Sequence, residues 1–255
     1  MCTVSRNGDI AAVDVRTLLD VWDHVSPGRP VRSALALLAA VSSDDEVAVG
    51  RLALGERDRR LLELRAYLFG TQLANVATCP RCGETVEFTC DTRNLLSGAV
   101  AHGAGNQTAE AVRVAHDEHE VWFRRLTSED LLALPEAAAD PWAWLFAHSV
   151  LRATRSDDAV EAAALPADVQ EAVVGAMAAA DPLADIELSL ACPSCGDSWQ
   201  AGLDIASYLM TEIDAWARRL LADVHTLARR YGWSEVTILG MSARRRELYL
   251  GFGDA

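Results

Sequence analysis

From Leu209 the apolar positions run Leu209, Ile213, Trp216, Leu220, Val224, Leu227 and Tyr231, in steps of three and four. Over more than six turns that spacing predicts one long helix with a narrow apolar stripe. Gly232 ends it, Ser234 caps a short helix with Val236 and Leu239, and Ser242 caps a last one through Leu248 and Tyr249. At the other end, residues 10–50 read as helices. Val15, Leu18, Leu19 and Trp22 share a face, and Pro30 opens a second helix filled by Ala34 to Val41. An acidic turn, Ser42 to Glu46, follows. Between these ends, helical periodicity over Glu56 to Leu68 and over Ala167 to Ala179 precedes short strands. The strands are Leu73–Thr78, Thr85–Thr89 and Ile186–Leu190, the last with the cleanest apolar–polar alternation. In the middle of the chain, residues 111–114 and 121–124 form a hairpin pattern around Asp117, and helices start at Thr127 and at Asp140-Pro141. Ser97 to Thr108 has no periodicity and reads as a loop.

Two cysteine pairs sit at the tips of the strand segments: Cys79-Pro80-Arg81-Cys82-Gly83 and Cys192-Pro193-Ser194-Cys195-Gly196. Each is a knuckle that aims two sulfurs at one point, with Gly supplying a positive φ. An offset of 113 residues also aligns Glu84 with Asp197, Asp91 with Asp204 and Leu96 with Leu209. Asp91 and Asp204 are then N-cap candidates for the helices that follow. The unit helix, strand, knuckle, strand, helix therefore occurs twice, with residues 97–165 inserted between the copies.

These readings give an α+β, mainly helical fold. Two pseudo-repeated helix–β-hairpin zinc-knuckle units share a four-cysteine, zinc-ribbon-like site, joined by an inserted hairpin and helical block and followed by a long C-terminal helix. The segments are 1–50, 51–96, 97–165 and 166–255, gathered into one compact body by the metal. Cys79, Cys82, Cys192 and Cys195 complete a tetrahedral shell for one structural Zn²⁺, with no position left for water or substrate. A disulfide or thiol-redox pair is the competing chemistry. Residues 1–30 lack the apolar core of a signal peptide, which favours a cytoplasmic location and argues against disulfides; a C-x-x-C redox pair belongs at a helix N-terminus rather than between strands. Cys90, opposite Leu203 in the other copy, reads as a small buried hydrophobe, and Cys2 as incidental.

Composition narrows the function. At 255 residues, 51% hydrophobic and 24% charged, the chain can bury a sizeable core, and its longest apolar run is too short to cross a bilayer. The net charge of −14 disfavours a polyanionic partner, so a zinc-ribbon nucleic-acid binder stands second as a reading. All 23 basic residues are arginine. Arg218, Arg219, Arg229, Arg230 and Arg244–Arg246 make the tail locally basic, suited to solvent or to an acidic partner. His24, His102, His116, His119, His148 and His225 are scattered, with surface placement expected for His116 and His119. No phosphate loop or nucleophile motif is present, and no enzymatic activity or small-molecule substrate is expected. The long stripe is either core or a seam for another protein, with Leu209, Ile213, Trp216, Leu220, Tyr231 and Trp233 as candidate contacts.

Several stretches together resemble a known family. They are Leu54-Gly55-Glu56-Arg57-Asp58-Arg59-Arg60-Leu61-Leu62, Leu68-Phe69-Gly70, the first knuckle, Asp185-Ile186 before the second, and Ile213-Asp214-Ala215-Trp216-Ala217. The ending His225 to Leu239, with Tyr231-Gly232-Trp233, Arg245-Arg246 and Tyr249-Leu250, completes the set. In this order they resemble the T-even-type phage baseplate hub assembly proteins, found in phages and in bacterial contractile injection gene clusters. The likeness spans most of residues 30–250 and departs in the loops, at 97–110 especially. It implies a non-catalytic structural subunit or assembly chaperone whose partners are baseplate, hub or other tail proteins.

Overall fold

The structure is a computed structural model describing residues 13–25, 28–101 and 111–252. It mixes helix and sheet, and the chain divides into two compact units. One comprises residues 46–205; the other combines the described parts of 1–45 and 206–255. The four consecutive segments expected from sequence are thus regrouped, with the chain's two helical ends in one unit and both knuckles in the other.

In the unit of the chain ends, α1 (Val15–His24) starts at Asp14, whose side chain accepts from the Arg16 amide. It buries Leu18, Leu19 and Val21. The helix α2 (Pro30–Val41) has proline at its first position and buries Ala34, Leu35, Leu37, Leu38 and Val41.

The second unit opens with α3 (Glu46–Gly50) and α4 (Leu54–Phe69). Leu61, Leu62 and Leu64 of α4 are fully buried. Beside them lies charge that the pattern places on no apolar face. The Arg57 guanidinium donates to both Asp58 oxygens at 2.6 and 3.0 Å and to Ser128 Oγ at 3.2 Å, all of it buried. Asp181, from the far side of the sequence, accepts from the Gly55 amide at 3.1 Å and so supplies the cap that Ala53 cannot.

An antiparallel ribbon follows, β1 (Gln72–Thr78) with β2 (Thr85–Asp91), leading into α5 (Thr92–Ala101). Asp91 accepts from the Arg93 amide at 2.9 Å at the start of α5. The helix continues through Ser97 to Ala101, where a loop was expected; the rest of that expected loop, residues 102–108, lies outside the described residues. The predicted hairpin is present as β3 (Val112–His116) and β4 (His119–Phe123), turning through Asp117 at φ +50°. After α6 (Ser128–Ala133) and α7 (Pro141–Ser149), strands β5 (Val150–Arg155) and β6 (Asp158–Ala159) extend it into a four-stranded antiparallel sheet, β3-β4-β5-β6. Then α8 (Ala167–Ala180) lays Val169 and Val173 against Val121, Phe123, Phe146 and Ala153 of this block. The block therefore extends beyond residue 165. The helix assigned to the second knuckle unit covers the inserted sheet, because that apolar face would otherwise meet water.

A second ribbon, β7 (Glu187–Ala191) with β8 (Ser198–Gly202), closes this unit. The long helix α9 (Ile205–Tyr231) begins directly after Asp204, and α10 (Glu235–Leu239) and α11 (Ala243–Gly251) follow, capped by Ser234 and Ser242. Two tail arginines satisfy backbone carbonyls. Arg246, buried, donates to Met241 O at 2.6 Å, and Arg230 donates to Leu250 O at 2.8 Å. No described helix is long and apolar enough to cross a membrane.

Two glycines carry opposite expectations. A Cβ on Gly55 would overlap the buried Asp181 carboxylate and crowd the Ala184 amide, so Gly55→Ala is expected to cost about 1–3 kcal/mol. Gly175, exposed within α8, has open space around its Cβ position, and Gly175→Ala should stabilise by roughly 0.5–1 kcal/mol. Urea midpoints of the two variants moving in the same direction would refute this account of α4.

Candidate metal centre

Each ribbon ends in a six-residue turn with the same internal bonds. The Cys79 amide donates to Glu84 O at 2.8 Å and the Gly83 amide to Cys79 O at 3.0 Å. In the other turn the Cys192 amide donates to Asp197 O at 2.8 Å and the Gly196 amide to Cys192 O at 3.0 Å. Gly83 and Gly196 adopt φ of +75° and +72° with nothing near a would-be Cβ, so backbone conformation rather than space requires glycine.

The two tips converge. Cys79 Sγ lies 3.7 Å from Cys195 Sγ, and Cys82 Sγ lies 3.6 Å from Cys192 Sγ. All four sulfurs fall within 4.8 Å of one another. With metal–sulfur bonds of about 2.3 Å, a regular tetrahedron has sulfur–sulfur edges of about 3.8 Å. The two short separations match that edge and run between the turns rather than within them. They are far too long for a disulfide bond of about 2.05 Å. Cys79 and Cys192 are buried with Val86, and Cys195 and Trp199 pack against them, while Cys82 is exposed. The expectation that Cys79, Cys82, Cys192 and Cys195 meet at one point is thus satisfied. All four belong to the 46–205 unit, so an ion here fastens two ribbons of one unit and not the two units to each other.

Proton affinities show why the group calls for a cation. Backbone N–H groups of Cys195 and Ser194 pull the Cys192 thiol down to about 7, although burial opposes them. Cys82 receives a lowering contact from the Glu84 backbone, yet the Cys195 thiol, burial and the Cys192 and Cys79 thiols push it up to about 12. Cys195 is also raised: the Asp197 backbone N–H and the Cys82 thiol lower it, but burial and the Cys192 and Cys79 thiols outweigh them. Four bare thiolates this close repel strongly, and a divalent ion removes that repulsion. Soft thiolate donors at tetrahedral spacing fit such an ion.

The other candidate residues separate from this centre. Leu209 and Ile213 are fully buried, and Leu220 is buried with Leu19 and Ala217, Trp216 packing against them. Tyr231 stacks on Trp233 with ring centroids 4.5 Å apart, and both pack with Val224, Leu227 and Ile238. The stripe proposed as a seam for a partner is therefore covered by the chain itself, because its apolar area is needed for core. His116 reaches the surface, its Nε2 3.5 Å from Asp168 Oδ2. His119 does not; it is buried, with Nδ1 lacking a partner among the described residues, because it shares the core-facing side of β4 with Val121 and Phe123. Cys90 is half-buried opposite Leu73, and Cys2 lies outside the described residues. The sequence reading passed over Val86 and Trp199, which wall the sulfurs, and the Arg57–Asp58–Ser128 network. The only sequence signal for that network is the density of charge within an otherwise apolar helical pattern.

The chain matches no family model, no curated protein and no solved structure.

Protein purified under reducing conditions is expected to carry one equivalent of metal, zinc by its donor chemistry, in elemental analysis. Cys195→Ser should lower stability by several kcal/mol, part of the roughly 10 kcal/mol that structural zinc contributes to small folds. An unchanged denaturation midpoint, or metal-free protein that melts normally, contradicts the site.

Proposed function

We propose that this protein is a non-enzymatic assembly or structural component of the baseplate or hub of a phage-tail-like contractile injection system, stapled by one structural zinc ion. The reading rests first on the closed four-sulfur shell. With four protein ligands, a zinc ion keeps no open position for water or substrate, so its work is architectural. It rests second on what the resembling residues do. Gly55, Arg57 and Asp58 of the 54–62 stretch form the packed start of α4, and Tyr231 and Trp233 form an aromatic cluster with Tyr249. These groups pack and cap the helices rather than line a cleft, which fits a scaffold better than a reaction centre.

In this reading the two knuckle ribbons are copies of one helix–strand–knuckle–strand–helix unit, related as in a zinc ribbon by the ion between them. The inserted sheet of residues 112–159 and the helical ends are additions to that pair. Residues 46–205 hold 12 arginines against 25 acidic residues, a formal charge of −13. That balance supports a protein partner over a nucleic acid, which would be repelled by the unit carrying the knuckles.

A tagged copy expressed from the native gene cluster is expected to recover baseplate or tail proteins. Deleting the gene should leave particles without complete baseplates in electron micrographs. Presence of the chain in purified particles would make it a subunit, and absence an assembly factor. Normal particles after deletion, with no tail protein recovered, would sink the proposal.

A further inference from the structure

The tip of the β3–β4 hairpin brings a second group of metal-ligand side chains together. His116 Nε2 lies 3.5 Å from Asp168 Oδ2, and an Asp117 carboxylate oxygen completes a set of three within 4.8 Å of one another. Asp168 stands in the first turn of α8, and Asp117 is the turn residue at φ +50°. Those placements explain each acid singly: a carboxylate suits a helix N-terminus, and aspartate tolerates the left-handed region. They do not explain why both carboxylates gather at one imidazole, in a unit that is already strongly acidic. Arg155, opposite His119 in β5, gives no relief, because it donates to Glu118 Oε2 at 3.1 Å.

A fourth donor faces the same way. His116 and His119 are direct partners across the ladder. The alternation of both strands puts them on one face with Val114 and Val121, the face that α8 covers. Cross-strand partners of this kind hold their Cβ atoms about 5 Å apart. His119 is only 8% exposed, and its Nδ1 has no partner among the described residues. A buried nitrogen without a bond is costly, and a bound group that engages it removes that cost.

The spacing fits an ion better than a hydrogen bond. N–H···O bonds measure about 2.7–3.2 Å. Bonds of about 2.1 Å from nitrogen and oxygen to zinc give tetrahedral edges of about 3.4 Å. His116 and Asp168 stand at that edge. Imidazole nitrogen favours late transition ions over Mg²⁺ and Ca²⁺, and two carboxylates balance the charge of a divalent one.

We propose that His116, Asp117 and Asp168, with His119 as fourth donor, bind a divalent ion of the zinc class. The His116 and Asp168 side chains are 39% and 58% exposed, so the ion enters from solvent and exchanges, unlike one enclosed by four sulfurs. Bound there, it fastens the hairpin tip to the first turn of α8. All four residues belong to the unit of residues 46–205. The site stands whether or not the chain serves a baseplate.

The test titrates Zn²⁺ into the full-length protein, carrying whatever metal it retains on purification, and follows the histidine ring nitrogens by NMR. His116 and His119 should shift together and saturably, while His225, exposed on α9, stays unmoved. The melting temperature should rise with added zinc. Mg²⁺ at the same concentration should move neither ring. Asp117→Asn and Asp168→Asn keep residues suited to a left-handed turn and to a helix start. Each should weaken zinc binding about tenfold or more, with unchanged circular dichroism. A His116 or His119 ring that does not respond, affinity unaltered in both variants, or Mg²⁺ acting as Zn²⁺ does overturns the proposal.

Discussion

The meeting of four sulfurs from two ribbons is the contact on which the 46–205 unit depends. Each ribbon has only two strands, and a two-stranded ribbon in water is marginal by itself. Most of β1 and β2 offers one half-buried face, with Val76 on the other face 66% exposed. Such strands bury too little apolar area to offset the entropy of ordering them. An ion held by both tips would supply the missing free energy at the ends farthest from the helices, where the chain would fray first. Such an ion would also account for the close repetition of bond lengths and glycine φ in the two turns. The sulfurs can reach tetrahedral edges only if both turns present them alike.

At the other end of the same ribbons the constraint is buried charge. Burial pushes the Asp58 and Asp181 carboxyls up, and in Asp58 the Arg57 guanidinium works against that shift. A buried pair of this kind adds little net stability compared with an apolar substitute, yet removing one partner strands the other. Its value is positional. Asp181 can accept the Gly55 amide in only one arrangement of α4 against the segment after α8, and no side chain larger than hydrogen fits between them. That contact orients the segment entering β7, just as α4 orients the chain entering β1. The sulfurs thus converge because both ribbons start from one fixed junction.

Local chemistry made part of this legible in the sequence. The knuckles, the helix starts at Thr127, Asp140, Ser234 and Ser242, and the 112–123 hairpin each depend on residues a few positions apart. The failures share a different cause. β5 buries Ala153 and Thr154 in succession and leaves Leu151 exposed, so it shows no alternation; its strand character comes from pairing with β4. His119 sits at a turn and reads as surface, yet it lies on the β4 face that Val121 and Phe123 turn into the core. The stripe from Leu209 to Tyr231 was legible as a stripe, but its covering by Leu19, Trp22, Ile238 and Tyr249 depends on residues many positions away. Periodicity identifies an apolar face and is silent on what meets it.

Charge completes the argument about partners. Against the −13 of residues 46–205, the unit of the chain ends holds 11 arginines and 12 acidic residues and is close to neutral. The two units therefore differ in what can approach them. A basic protein surface would be drawn to the knuckle unit over a distance set by the Debye length, about 8 Å at physiological salt. The near-neutral unit projects little such field, so approach to it depends on local shape. Among the described residues of that unit the long apolar stripe is buried, Arg230 and Arg246 are engaged by backbone carbonyls, and Val236, Leu248 and Phe252 are the large apolar side chains left exposed.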